Sequence, residues 1–477
     1  MVRRHAIIIG GGASGVLFAY QLLRLGSPAF RVTLIERRPE IGRGLAYHTG
    51  NPDHLLNVRA ANMSARSEDP DHFWRWLSAH DADHCGDRYC FVPRRVYGDY
   101  IASLIRPLVS RGDDADGLRI LNGECVSISQ SADGVVAELA NGAQLTGDVA
   151  ILATGHDSRK APAACYADPW LPPSTAGIGK NAAVLILGTG LTMVDYVLSL
   201  LRDGHDGPIV ALSRRGLLPK PHRRVPPLRI DEADVPFGAS TSQLLRWLRH
   251  HVDAHRAQGG NWRSVVDGIR PFTQRLWREL PATSRRRFLE HARAWWDVHR
   301  HRMAPEVEAR IAKATEDHRL TVMAAKIVDV SPNATGASVR YRRRGRTEIE
   351  SFDVGAIVDC TGIVKDPAAT GNPAMRSLFD QGLARVDPLH IGLDVAPDGA
   401  ILDRNGLPSR RLFAIGPLTR AAFWEIIAIP DIRNQCAELA KRLVENAAAP
   451  EPMFATASPA TAPLDAPRER ARVIGHH

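Results

Sequence analysis

The 477-residue chain has few cysteines, few aromatics and no long apolar run. Its six cysteines (85, 90, 125, 165, 360 and 436) are scattered, which argues against a disulfide framework and fits a reducing, cytoplasmic setting. No apolar segment approaches the length needed to span a bilayer. The opening MVRRHAIIIGGG pairs basic residues with only a short apolar stretch that enters a glycine turn, so it reads as a strand and not a leader. No Ser/His/Asp order, P-loop or H-E-x-x-H pattern appears, leaving hydrolase and kinase readings without support. The net charge of +9 comes mostly from arginine. Those arginines are dispersed and match no nucleic-acid-binding pattern; a solvated surface with a few phosphate-binding arginines accounts for them.

The hydrophobic fraction of 44% and charged fraction of 24% are those of a soluble globular protein, and the length suggests two or three domains. HAIII (5–9) predicts a strand, VLFAYQLLRL (16–25) a helix and RVTLIE (31–36) the next strand. Residues 37–100 read as irregular, DVAILATG (148–155) as a strand ending in a glycine turn, and 157–180 as a proline-containing linker. A second strand–turn–helix follows at 183–202, then the strand PIVALS (208–213). Helical spacing with many tryptophans dominates about 240–315, strand signals return at 321–330, 337–343, 354–360 and 411–416, and 432–447 reads as a closing helix. The tail 448–477 is Ala/Pro-rich and is expected to be disordered.

Gly10-Gly11-Gly12-Ala13-Ser14-Gly15 satisfies G-x-G-x-x-G between a strand and a helix. Gly10 permits the turn, Gly12 lets the backbone approach a pyrophosphate, and Gly15 lets helix and strand pack closely. The helix start, with Ser14 in its first turn, offers free N–H groups to phosphates. Glu36, followed by Arg37, ends the next strand where a carboxylate would accept from a ribose hydroxyl. A second turn, VLILGTGLTMVD (184–195), keeps Gly188 and Gly190 but carries Met193 at the third position. That position governs packing rather than phosphate contact, so a flexible methionine is accommodated if the helix stands slightly further off. After PIVALS, Ser213-Arg214-Arg215 replaces the acid of an NAD-type site; it suits the 2′-phosphate of NADP or is an exposed basic loop.

With both turns placed, the chain resembles the two-dinucleotide-binding flavoprotein superfamily, and within it a bacterial FAD/NAD(P)-binding protein family. The motifs carrying the likeness are GGGASG (10–15), GLAYHTGNPDHLLNVRAANMSA (44–65), PRRVYGDY (93–100), ILATGH (151–156), LGTGLTMVD (187–195), HRHRMAP (299–305) and IGPLTRAAFWEIIAIPDIRNQ (415–435). More distantly it is similar to N-hydroxylating flavin monooxygenases. The resemblance implies an α/β fold of two Rossmann-like domains, an FAD domain with an inserted NAD(P) domain, plus a helical insertion. The expected division is 1–165 and 351–447 for FAD, with 180–350 for NAD(P) and its insertion at about 216–315.

It further implies that Gly10, Gly12, Gly15 and Glu36 hold the FAD adenosine diphosphate. Thr154-Gly155 and Thr361-Gly362 resemble the strand-end turns between domains. Gly416 would bring N–H groups to the cofactor, and Asp431-Ile432 would open a helix facing the flavin. Asn57, Met63 and Ser64 either pass beside the isoalloxazine or pack as ordinary loop. The implied activity is that of an FAD-dependent, NADPH-using oxidoreductase. One form is a monooxygenase acting through a flavin peroxide on a small nucleophilic substrate with O2. The alternatives are a reductase passing electrons onward and a non-enzymatic redox sensor.

Three further features stay open at this level. Cys85 and Cys90 have a C-x4-C spacing, but stand too far along the chain from Glu36 for a flavin-side redox pair. His299, His301 and Arg302 suit an anion or internal pairing with acids better than a metal, because the neighbouring guanidinium groups repel a cation. In PRRVYGDY, an arginine either faces substrate or packs at a domain interface.

Overall fold

A computed structural model describes residues 3–26, 29–80, 85–109, 117–155, 162–362 and 366–448. The expected tail lies outside these residues from 449 onward, as do parts of the 157–180 linker and His156 of the ILATGH motif. Two sheets organise the chain. In the first, the parallel strands Val149–Leu152, Arg4–Ile9, Phe30–Glu36 and Leu118–Asn122 lie side by side in that order, and Pro408–Ala414 and Ala400–Leu402 extend the Val149 edge. In the second, Ala356–Asp359, Val184–Leu187, Ile209–Ser213 and Leu320–Asn333 repeat the same parallel order. Strands buried on both faces read as continuous apolar runs, which is why AIII and VLIL were legible as strands.

The two glycine turns are superposable in their logic. Gly10 (φ 107°) and Gly188 (φ 102°) both occupy the left-handed region. A Cβ on Gly10 would stand 2.5 Å from the Ala153 carbonyl oxygen, and one on Gly188 would stand 2.5 Å from that of Cys360. Each first glycine therefore backs onto the end of a neighbouring strand, and Thr154-Gly155 and Thr361-Gly362 follow directly. Only glycine fits a positive φ at such close backbone approach.

Three expectations need correction. The second sheet runs past the expected boundary at residue 351, because Glu350–Val354 pairs with Gly336–Arg343 and Ala356–Asp359 with Val184–Leu187. The supposedly irregular 37–100 contains a helix at His72–His80 and the start of another at Arg94–Ile105. The latter buries Tyr97, Tyr100, Ile101 and Leu104, a helical spacing present in the sequence. Finally, Cys85 and Cys90 form a disulfide, their Cα atoms 5.7 Å apart across a turn closed by the Cys90 N–H and the Asp87 carbonyl. Cys125, Cys165, Cys360 and Cys436 are free.

The insertion is helical from Thr241 to Arg300, and the helix Pro305–Glu316 then returns the chain to the second sheet. It docks on the segment that leads into the C-terminal helix, Ile429–Ala448. Trp277 stacks on Trp424 with ring centres 4.4 Å apart and donates its indole N–H to the Ala421 carbonyl at 2.7 Å. The insertion's tryptophan at 277 is thus core. No described helix is long and apolar enough to cross a membrane.

Candidate functional site

A cavity of about 260 Å³ opens over the first glycine turn. Of the expected residues, Gly10, Gly12, Ser14, Glu36, Arg37, Thr154, Gly155 and Ile432 line it. Glu36 is fixed by two backbone donors, Gly11 N–H at 2.7 Å and Arg38 N–H at 2.9 Å, which aims a carboxylate at the rim with acceptor capacity to spare. Gly12 is open: a Cβ there would meet only the Gly44 backbone, its Cα at 3.5 Å and its N at 3.9 Å. The opposite wall is apolar, from Ile427, Ile429 and Tyr47. Burial raises the Tyr47 phenol, so it stays neutral. A polar end, a glycine cradle and an apolar end together suit a dinucleotide carrying a flat ring, so the residues present fit FAD.

Other expected residues stand elsewhere. Gly15 packs beneath the turn and not in the cavity, because it is the point where helix meets Gly10. Gly416 does not offer a free N–H: that group donates to Gln435 Oε1 at 2.7 Å. Asp431 turns away from the cavity and pairs with Arg270 at 3.5 Å. Asn57, Met63 and Ser64 do not line it either. Their carbonyls accept from His222 Nε2 at 3.0 Å, Tyr97 Oη at 3.0 Å and Arg433 Nη1 at 2.6 Å. Sequence reasoning missed Arg38, the stretch Arg43–Tyr47, Glu124 and Asn372. The signal was partly there, since GLAYHTG begins with Gly44 (φ 50°), on which a Cβ would stand 3.2 Å from the Gly12 Cα.

At the second turn, Gly190 caps the helix Leu191–Arg202 and nothing lies within 4 Å of a Cβ built on it. Met193 is fully buried in a cluster with Val184, Ile186 and Val358. Ser213 is committed internally: its hydroxyl accepts from Gly216 N–H and shares a 2.9 Å hydrogen bond with Thr189. Arg215 donates to the His291 carbonyl at 3.0 Å, whereas Arg214 is exposed. Gly190→Ala is therefore expected to melt within about 0.5 kcal/mol of the parent, a surface-like change. The same variant should lose reduction by nicotinamide nucleotide at least tenfold if a pyrophosphate approaches there, as stopped-flow absorbance would show.

The remaining candidates resolve as structure. Arg302 is 2% exposed and grips Asp267 with two bonds of 2.8 and 3.0 Å. His301 is held neutral by burial. Among the described residues no cluster of three metal-ligating side chains occurs. Arg94 is an interface residue, paired with Asp195 of the second domain at 2.8 Å.

Residues 7–157 match the family model described as FAD-NAD(P)-binding. That span, about a third of the chain, is similar to an FAD-NAD(P)-binding domain. No curated protein matches it in sequence. Solved structures match across nearly the whole length. The reduced form of ornithine hydroxylase from Pseudomonas aeruginosa aligns with TM-score 0.62 at 14% identity over 93% of this chain and 99% of that one. L-lysine 6-monooxygenase from Pseudomonas syringae aligns with TM-score 0.61 at 14% identity, covering 94% and 100%. Thioredoxin reductase from Lactococcus lactis aligns with TM-score 0.52 at 14% identity, covering 93% and 100%. The fold is the one these structures share, an α/β architecture with two parallel, Rossmann-like sheets.

Proposed function

We propose that the protein is an FAD-dependent, NADPH-using oxidoreductase, and that it works as a monooxygenase on a small molecule. The observation that carries the oxidoreductase reading is the pair of equivalent glycine turns, each backed by its own strand-end carbonyl. A chain with two such turns holds two dinucleotides, and bound FAD with a nicotinamide partner supplies hydride acceptance and electron delivery. In this reading Gly10 and Gly12 give the pyrophosphate room, and Glu36 takes the ribose hydroxyls. Ile429 and Ile432, both buried, give the ring an apolar contact. Gly188 and Gly190 receive the second pyrophosphate, and Arg214 the 2′-phosphate.

Monooxygenation is favoured over reduction by the likeness to ornithine hydroxylase and L-lysine 6-monooxygenase, which superpose with TM-scores of 0.62 and 0.61 against 0.52 for thioredoxin reductase. Thr361 and Gly362, the strand-end turn behind Gly188, belong to the nicotinamide side of the site. Anaerobic reduction of the yellow protein by NADPH, then mixing with aerated buffer, tests both levels. A transient single-band absorbance between reduced and oxidised spectra supports monooxygenation. Direct return to the oxidised spectrum, unchanged by small amines and sulfides, favours a reductase. Failure of NADPH to reduce the protein sinks the oxidoreductase reading. Arg214→Ala should raise KM for NADPH about tenfold with little change for NADH, as expected for one lost charge-assisted contact. Equal effects on both would remove the NADP assignment.

A further inference from the structure

The C-terminal helix separates two environments. Ile432, Cys436, Leu439, Ala440 and Leu443 join the main core. Asp431, Asn434, Gln435, Glu438 and Arg442, recurring at helical spacing, line a second cavity of about 720 Å³. Its facing walls come from Asn62, from Arg270 and Gln274 of the insertion, and from Asp398. This volume lies in the range of small-molecule sites. Much of the remaining lining is apolar: four prolines (70, 271, 397 and 430), Phe423 and Leu439.

The charges in this cavity do not cancel pairwise in space. Arg270 is engaged with Asp431 at 3.5 Å and Arg442 with Asp398 at 3.2 Å. Glu438 is exposed at the rim. Arg433, from the same helical turn as Asp431, has no carboxylate partner among the described residues. Its Nη1 donates to the neutral Ser64 carbonyl, and its Nε is buried with no hydrogen-bond partner. Nε itself has no accessible surface; what an anion would offset is the charge of Arg433, which lines the cavity without a carboxylate partner among the described residues.

We propose that this cavity binds a monocarboxylate with an apolar body, anchored on the Arg433 guanidinium. The fork of a guanidinium matches the two oxygens of a carboxylate. The apolar lining accommodates the rest of the molecule. Asp431, Asp398 and Glu438 repel a second negative charge, which disfavours phosphate and dicarboxylates. Ile432, between Asp431 and Arg433, lines the FAD-binding cavity, so a molecule held here lies against the helical turn that walls the flavin site. That this molecule is a substrate rests on the oxidoreductase reading; that it binds does not.

Calorimetric titration of the oxidised, FAD-loaded full chain with hexanoate tests the proposal, with hexylamine and inorganic phosphate as controls. Hexanoate should bind, Arg433→Met should weaken it at least tenfold, and Gln274→Glu should weaken it severalfold by adding a like charge to the facing wall. Should Arg433→Met not fold, the Gln274→Glu result decides. No hexanoate binding, an unchanged affinity in the decisive variant, or equal or tighter binding of hexylamine or phosphate would overturn the carboxylate site. Hexanoate binding with no NADPH reduction would sink the oxidoreductase reading and leave the site standing.

Discussion

Gly15→Ala should give a protein that is largely colourless and less stable by about 3 kcal/mol, the upper range for overpacking a close-packed site. A Cβ on Gly15 would stand 1.9 Å from the Gly10 carbonyl oxygen and 3.4 Å from the Ala153 side chain. No rotamer relieves a clash with backbone, so either the helix Ala13–Gly26 or the turn must shift. The helix has little room, because Val16, Leu17, Phe18 and Ala19 are all fully buried. At its far end Gly26 sits against Val444 of the C-terminal helix, where a Cβ would come within 2.6 Å. The turn must therefore give way, and with it the cradle lined by Gly10 and Gly12. Denaturant midpoint and the ratio of flavin to protein absorbance check the result. A variant with full colour and the parent midpoint would show that Gly15 does not hold this junction.

The contrast with Met193 shows what was legible in the sequence and what was not. The G-x-G-x-x-G spacing, the strands around both turns and the acid at Glu36 are local signals, and the parallel sheets follow from them. A third glycine and a methionine occupy equivalent positions, and sequence alone marks one turn as altered. Only packing shows that Met193 is fully buried, in the same core cluster as Val184, Ile186 and Val358. The wall of the FAD-binding cavity was harder. Arg38, Gly44, Glu124 and Asn372 come from four separate segments, and nothing in their local spacing draws them together. Gly416 and Asp431 are absent from the cavity lining for the opposite reason. Their motif is local, but long-range partners, Gln435 and Arg270, determine where their polar groups go.

The largest stability effect is expected at Glu425, which lies within the 415–435 motif but was given no role from the sequence. Its side chain is 6% exposed, and its carboxylate accepts from Arg300 Nε at 2.9 Å and from the Trp296 indole N–H. Both donors belong to the insertion, whereas Glu425 stands six residues before Asp431 on the segment that walls the flavin cavity. Glu425→Ala leaves the Arg300 guanidinium, itself 11% exposed, buried without its counter-charge. Breaking such a pair costs about 3–5 kcal/mol. Arg300→Met combined with Glu425→Met should cost less than Glu425→Ala alone, because no stranded charge remains. The backbone adds a second handle: Glu425 holds φ at 64°, a left-handed conformation that costs a non-glycine residue about 1–3 kcal/mol. Glu425→Gly should therefore be more stable than Glu425→Ala by about 1 kcal/mol, the lower end of that strain, though it loses the same carboxylate. Urea denaturation followed by tryptophan fluorescence ranks the variants, and hydrogen exchange over 420–432 reports whether the insertion has let go of its seat. If Glu425→Ala unfolds at the parent's urea midpoint, the insertion is held by the Trp277–Trp424 stack and not by this ion pair. If it unfolds early with fast exchange at Ile427 and Ile429, one buried carboxylate couples the insertion to the apolar wall of the FAD-binding site.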